Sequence, residues 1–250
     1  MEYVYRLDDN ATDANYNVVP VSIGKADTLA HLALYLWYEP YDIVTKAQDS
    51  DTAKHVFLRE NGPKIIQLIG SSEINAAQGT EKLGEASGGN KITLMKINKM
   101  ETKNIAQLNE YVFKTMHHEF GHILHQKKPY PKDWEFITPG DYDPSTWNDL
   151  SDKEANERGF VSPYSRNNYN DDFVETLANY VVKSDAEWNR IMNNAKNGEF
   201  GDMSPAIEQK LDMVREYLAT QWGVNLEELR NLVQERQQNL DYDLMWKLYK

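Results

Sequence analysis

The chain contains no cysteine. Disulfide frameworks, thiolate metal sites and cysteine nucleophiles are therefore excluded. No stretch approaches the roughly 18 apolar residues of a membrane-spanning helix. The opening residues, Met1-Glu2-Tyr3-Val4-Tyr5-Arg6, form no apolar signal region. Positive charge is scarce: 27 Lys+Arg stand against 39 Asp+Glu, a formal net charge of −12. This balance disfavours a nucleic-acid phosphate backbone or an anionic membrane surface as partner. Dinucleotide and GxSxG fingerprints are absent. Gly84 to Lys91 is glycine-rich but lacks the Gly-Lys-Ser/Thr ending of a phosphate loop, so it reads as a turn. Ser22-Ile23-Gly24-Lys25 matches SxxK without the partner motifs of serine acylases and is taken as chance.

What is present is an ordinary globular composition. Hydrophobic residues make up 40% of 250, and aromatics 11%, with 15 Tyr and 6 Trp. That length and burial capacity support a sizeable core. We expect one domain over 1–250, with an α/β lobe at 1–128 and a mostly helical lobe at 129–250. The patterning predicts a surface arm over 1–24 and a helix from Asp27 to Tyr38 stopped by Pro40. Strands are expected over 41–45, 64–69 and 91–97, and a short helix over 52–60. A long helix follows over 104–126. A long ordered loop rich in Pro and aromatics occupies 129–150. Helices are expected at 151–158, 171–183, 185–196, 204–222 and 225–237.

Four of the six histidines fall between 117 and 125, and among them stands His118-Glu119-Phe120-Gly121-His122, an HExxH motif. Residues four apart on a helix lie about 40° apart around its axis, one turn up. Two imidazoles on one face can share a tetrahedral Zn²⁺, and Glu119 then lies where it can take a proton from a water on that ion. Gly121 lowers helix propensity by about 1 kcal/mol relative to alanine, so a packing or access reason is expected for it. A metzincin is excluded, because His125 and Lys128 stand where Gly and His would be needed. His125 shares the histidine face, but one helix rarely delivers three ligands to one ion. It is read as lining the cleft or supporting the site from behind, with ligation as the alternative. The third ligand is sought in Asn170-Asp171-Asp172-Phe173-Val174-Glu175. Asp171 and Glu175 share one helix face. One carboxylate can bind the metal while the other accepts the N–H of a ligating histidine and fixes its tautomer. Asp171 is read as the ligand and Glu175 as the partner. The plainer alternative is that Asp171 and Asp172 merely complement the helix N-terminus.

These segments, together with Gly159-Phe160-Val161-Ser162-Pro163-Tyr164, resemble the substrate import-associated zinc metallohydrolase lipoproteins, a bacterial family of zinc-binding metallopeptidases. The site is also similar to those of anthrax lethal factor and the Pro-Pro endopeptidases, which carry a Tyr seven residues before the acidic ligand. Tyr164 sits seven before Asp171. The resemblance implies that its hydroxyl helps hold the oxyanion of the tetrahedral intermediate. Those enzymes have Glu where this chain has Asp171, one methylene shorter, so Glu175 remains the alternative ligand. The expected fold is α+β and zincin-like, with a small twisted sheet and the active-site helix in the N-terminal lobe. The expected activity is zinc-dependent hydrolysis of a peptide or protein substrate. The rival is a non-catalytic peptide- or glycan-binding surface lipoprotein, against which an intact Glu119 argues. The resemblance further implies a secreted or outer-membrane, cell-surface location beside an outer-membrane nutrient importer. Any membrane contact would then run through a signal-derived lipid anchor outside this chain.

Overall fold

The computed structural model describes residues 19–45, 56–75, 80–82, 84–87 and 90–248. Most of the arm expected over 1–24, and the first residues of the helix expected over 52–60, lie outside the described residues. Helix α1 (Ile23–Ala33) leads through a π-type turn (Leu34–Tyr38) into α2 (Glu39–Val44). This corrects three expectations: the helix begins at Ile23, inside the expected arm and before Asp27; Pro40 does not stop it; and 41–45 is not a strand. Proline lacks the N–H for the helical ladder and crowds the carbonyl four residues back. That carbonyl belongs to Leu36, inside the π turn, where the ladder is already widened. Burial decides the rest: Leu36, Trp37 and Tyr41 are fully enclosed, which outweighs the strand preference of the Tyr-Ile-Val-Thr run.

Helix α3 (Val56–Asn61) ends before Gly62-Pro63. Five short strands follow: β1 (Ile65–Leu68), β2 (Glu73–Asn75), β3 (Thr80–Lys82), β4 (Gly84–Ser87) and β5 (Lys91–Leu94). β5 is the middle strand of a sheet of three. It runs parallel to β1, with Ile65 opposite Lys91, and antiparallel to β4, with Gly84 opposite Leu94. β2 and β3 form a separate antiparallel ribbon. The glycine-rich segment read as a turn thus opens with a strand. Gly84 belongs there because a Cβ would stand 2.4 Å from Thr115 Cγ2 and 2.9 Å from the Thr93 carbonyl oxygen. The strand expected to reach residue 97 ends at Leu94. Lys96 turns the chain at φ 64° into a 3-10 turn (Ile97–Lys99).

The helix expected over 104–126 is present, N-capped by the Asn104 side chain, with a π turn in its middle. It comprises α4 (Ile105–Leu108), the turn Asn109–Phe113 and α5 (Lys114–Lys127). The aromatic loop behind it is ordered by its own rings. Trp134 is fully buried, and Tyr130 stacks on Phe173 at 4.3 Å. Then come α6 (Asp152–Asn156), α7 (Tyr169–Val182), α8 (Asp185–Lys196), α9 (Ser204–Tyr217), α10 (Leu226–Gln238) and α11 (Tyr242–Leu248). The sequence reading did not include α11. Reciprocal Ser–Glu capping boxes start α6 (Ser151, Glu154) and α8 (Ser184, Glu187).

Helix α7 is central: every residue from Asp171 to Val182 is buried. It packs against α5, α9 and α10, while α5 also lies against β4 and β5. The α5–α7 crossing is unusually close, because Gly121 has no Cβ. One would stand 2.7 Å from Val174 Cγ1 and 3.0 Å from Val174 Cβ. This supplies the packing reason expected for a glycine inside the HExxH helix. The class is α+β, mostly helical with a small sheet. Among the described residues no helix is long and apolar enough to cross a membrane.

Candidate metal centre

The close crossing brings the first turn of α7 to the histidine face of α5. His118 Nε2 and His122 Nε2 lie 3.1 Å apart. Asp171 Oδ1 is 3.1 Å from His122 Nε2 and 3.6 Å from His118 Nε2. A tetrahedral ion with bonds of about 2.0–2.2 Å has ligand–ligand edges of roughly 3.3–3.6 Å. The three separations, 3.1, 3.1 and 3.6 Å, fall on or just below those edges, so the atoms stand close to three corners of such a tetrahedron. Two imidazoles and one carboxylate are also a donor set that zinc accepts, leaving its fourth position for water or substrate. The residues fit the metal that the motif implies.

The Asp171 carboxylate is aimed by its surroundings. Its Oδ2 accepts from Asn167 Nδ2 (2.5 Å) and Asn168 Nδ2 (2.7 Å), which leaves Oδ1 facing the imidazoles. Asn168 also N-caps α7, its Oδ1 accepting from the backbone N–H of Asn170 and Asp171. Burial alone would raise the Asp171 pKa. The nearby His118 imidazole and hydrogen bonds from His122 and Asn167 outweigh it and hold the carboxyl well below the usual range.

Glu175, the alternative ligand, lies behind His118. Its Oε1 accepts from His118 Nδ1 at 2.9 Å, and its Oε2 accepts from Ser162 Oγ (2.6 Å) and Asn179 Nδ2 (2.9 Å). Burial works against its charge, but the Lys114 ammonium and the His118 hydrogen bond lower its pKa to about 2. His118 thus gives its Nδ1 proton to a carboxylate and turns Nε2 to the cluster. His125 is not among the clustered ligand atoms; its Nε2 lies 2.9 Å from His122 Nδ1. His117, the fourth histidine, is sealed in the aromatic core. Its Nδ1 meets the Tyr41 hydroxyl at 3.0 Å, and burial lowers its pKa to about 3.

Glu119 is buried, and its Oε1 lies 3.8 Å from where a Gly84 Cβ would stand, beside β4. Its charge is among those that favour a protonated His118. Tyr164 is partly exposed, its ring centroid 5.6 Å from that of His118 and its edge against Trp147. Burial, then the carboxylates of Asp171, Glu175 and Glu119, push the Tyr164 phenol up, so it keeps its proton as a donor.

Several supporting residues were not read from the sequence. Asn168, three before Asp171, had a legible cue in N-cap spacing. Ser162, Asn179 and Lys114 had none, because a side chain's reach across the core leaves no local pattern. Asp172 forms a fully buried ion pair with Lys210 of α9 at 2.8 Å. Tyr142 donates to the same Asp172 carboxylate, and Lys210 also donates to the Gly159 carbonyl. This pair ties α9 to the turn that carries Asp171.

A solved structure described as a putative zinc-binding metallo-peptidase from Bacteroides caccae ATCC 43185 superposes with a TM-score of 0.71. It shares 34% identity over 94% of this chain and 86% of its own. Comparison with curated proteins gives no significant match. The family model described as "putative zinc-binding metallo-peptidase" matches residues 1–227. With a fold, a donor set and a family model in agreement over nine-tenths of its length, the chain belongs to that zinc-binding metallo-peptidase family.

Proposed function

We propose that the protein is a zinc-dependent peptidase that hydrolyses peptide bonds, with His118, His122 and Asp171 holding the metal. The observation that carries this reading is the convergence of those three ligand atoms, all within 4.8 Å of one another, beside the Glu119 carboxylate. Zinc held there would supply Lewis acidity toward the scissile carbonyl and a lowered pKa for the attacking water. Glu119 accepts a proton from that water and passes it to the leaving nitrogen. Tyr164 donates its phenolic hydrogen to the developing oxyanion. Glu175 holds the tautomer of His118 that keeps Nε2 available. The peptide substrate is supported by β4, an end strand of its sheet among the described residues that lies beside Glu119, since strand pairing is a common way to hold an extended chain.

The test is Glu119→Gln, which preserves shape and removes the base. The variant should keep about one zinc per chain. Its turnover on a cleavable peptide from a broad library should fall by at least about two orders of magnitude. If the wild type cleaves nothing in the library while a ligand binds both proteins equally, the protein is a binder on a peptidase scaffold.

A further inference from the structure

The two histidine ligands are supported by unlike partners. His118 gives its Nδ1 proton to an anionic carboxylate, Glu175, at 2.9 Å. His122 instead has a third imidazole at its back, with His125 Nε2 2.9 Å from His122 Nδ1. The chemistry of that contact is restrictive. His122 can offer the Nε2 lone pair only if its proton sits on Nδ1. His125 Nε2 must then be the acceptor, which places the His125 proton on Nδ1. The reverse arrangement, with His125 donating, would put a proton on His122 Nε2, where the ligand lone pair is needed. One tautomer of His125 therefore selects the productive tautomer of His122.

His125 is itself held in place. Its ring stands edge-on to Tyr130 at 5.6 Å. Tyr130 stacks flat on Phe173, and its hydroxyl donates to Asn170 Oδ1 at 2.8 Å. Both residues belong to the first turns of α7, on either side of Asp171. The support behind His122 thus rests, through Tyr130, on the helix that supplies the acidic ligand.

We propose that His125 is a positioning residue of this centre: by accepting the His122 Nδ1 proton it sets the ring orientation and tautomer of His122 and thereby the zinc affinity. This rests on the zinc reading above, and its test separates the two. Zinc affinity of full-length wild type, His125→Ala and His125→Gln is measured by competition with a chromophoric chelator. Imidazole ¹⁵N spectra of the zinc-loaded wild type report which ring nitrogens are protonated, a property that mere packing would not set. His125→Ala should bind zinc about 10–100-fold more weakly while its unfolding temperature without metal stays near that of wild type. His125→Gln, whose amide oxygen can accept the same proton, should recover most of the loss. In the spectra His125 should carry its proton on Nδ1. Equal affinity of alanine variant and wild type, a glutamine variant as weak as the alanine one, or a His125 proton on Nε2 overturns the assignment while leaving the zinc site standing. A wild type that takes up no zinc overturns both.

Discussion

Replacing Gly121 with alanine adds one methyl group at a close crossing of the two helices that carry the proposed ligands. The new Cβ would stand 2.7 Å from Val174 Cγ1, 3.0 Å from Val174 Cβ and 3.4 Å from Leu177 Cδ2. Carbon atoms in good contact are about 3.5–4.0 Å apart, so α7 must withdraw by roughly 1 Å. Val174 cannot swing aside, because a β-branched residue in a helix has essentially one χ1 rotamer. Overpacking of this kind costs about 1–3 kcal/mol, and alanine returns about 1 kcal/mol of helix propensity. The apoprotein should therefore lose no more than about 2 kcal/mol. The metal site should suffer more. Asp171 lies three residues before Val174 on the same side of α7, and its Oδ1 is now 3.1 Å from His122 Nε2. A withdrawal of about 1 Å stretches that edge beyond the roughly 3.3–3.6 Å of a tetrahedral zinc site. We expect zinc affinity to fall at least about 10-fold, as when the support of a ligand is disturbed. Thermal unfolding of the apoprotein and chelator competition measure the two effects separately. Adding Val174→Ala removes the nearest atom and should restore part of the affinity. A Gly121→Ala protein that binds zinc as tightly as wild type would refute the claim that this glycine sets the ligand spacing.

Four further outcomes are expected. Asp171→Asn should remove most zinc binding, whereas Glu175→Gln should weaken it only about 10–100-fold; the reverse order in a metal titration would make Glu175 the ligand. Tyr164→Phe should leave zinc content unchanged and lower turnover by about 10²–10³-fold, and wild-type turnover would reduce Tyr164 to a packed ring. For His118, burial opposes the charge, but hydrogen bonds to Asp171 and Glu175 and the nearby carboxylates raise its pKa to about 10 in the apoprotein. Zinc must displace that proton, so affinity should rise about tenfold per pH unit from neutral towards alkaline pH. Calorimetry in buffers of different ionisation enthalpy should show about one proton released, and no buffer dependence would contradict this. Because the pKa is raised on folding, the same proton stabilises the apoprotein fully below about pH 6.5, and that stability is lost as pH climbs towards about 10. Lys210→Met strands the Asp172 carboxylate, whose partner is fully buried with it, and should cost about 3–5 kcal/mol in denaturant unfolding; a loss under about 1 kcal/mol would mean that the pair does not anchor α9 to α7.

What was legible in the sequence is what local periodicity carries. The four-residue spacing of His118 and His122 puts two imidazoles on one helix face whatever surrounds them. The same rule places Asp171 and Glu175 together, and capping residues mark helix starts such as Ser184 and Asn225. Where local preference and tertiary burial disagreed, burial won. Tyr41 to Val44 are helical because the core encloses Tyr41 and a π turn accommodates Pro40. Gly84 to Ser87 form a strand because β5 and α5 lie beside them. The division of roles between the two carboxylates depended on distance. Asp171 is 49 residues from His122, and only the Gly121–Val174 crossing brings its Oδ1 to 3.1 Å while turning Glu175 to the back of His118. The same holds for His125: the helical wheel puts it on the histidine face, but its ring orientation comes from Tyr130 and Phe173, on two other segments of the chain. A sequence specifies directions around a helix axis through bonds a few residues apart. Which atoms then meet is set by close packing between distant segments, where the absence of one methyl group at Gly121 lets two helices approach.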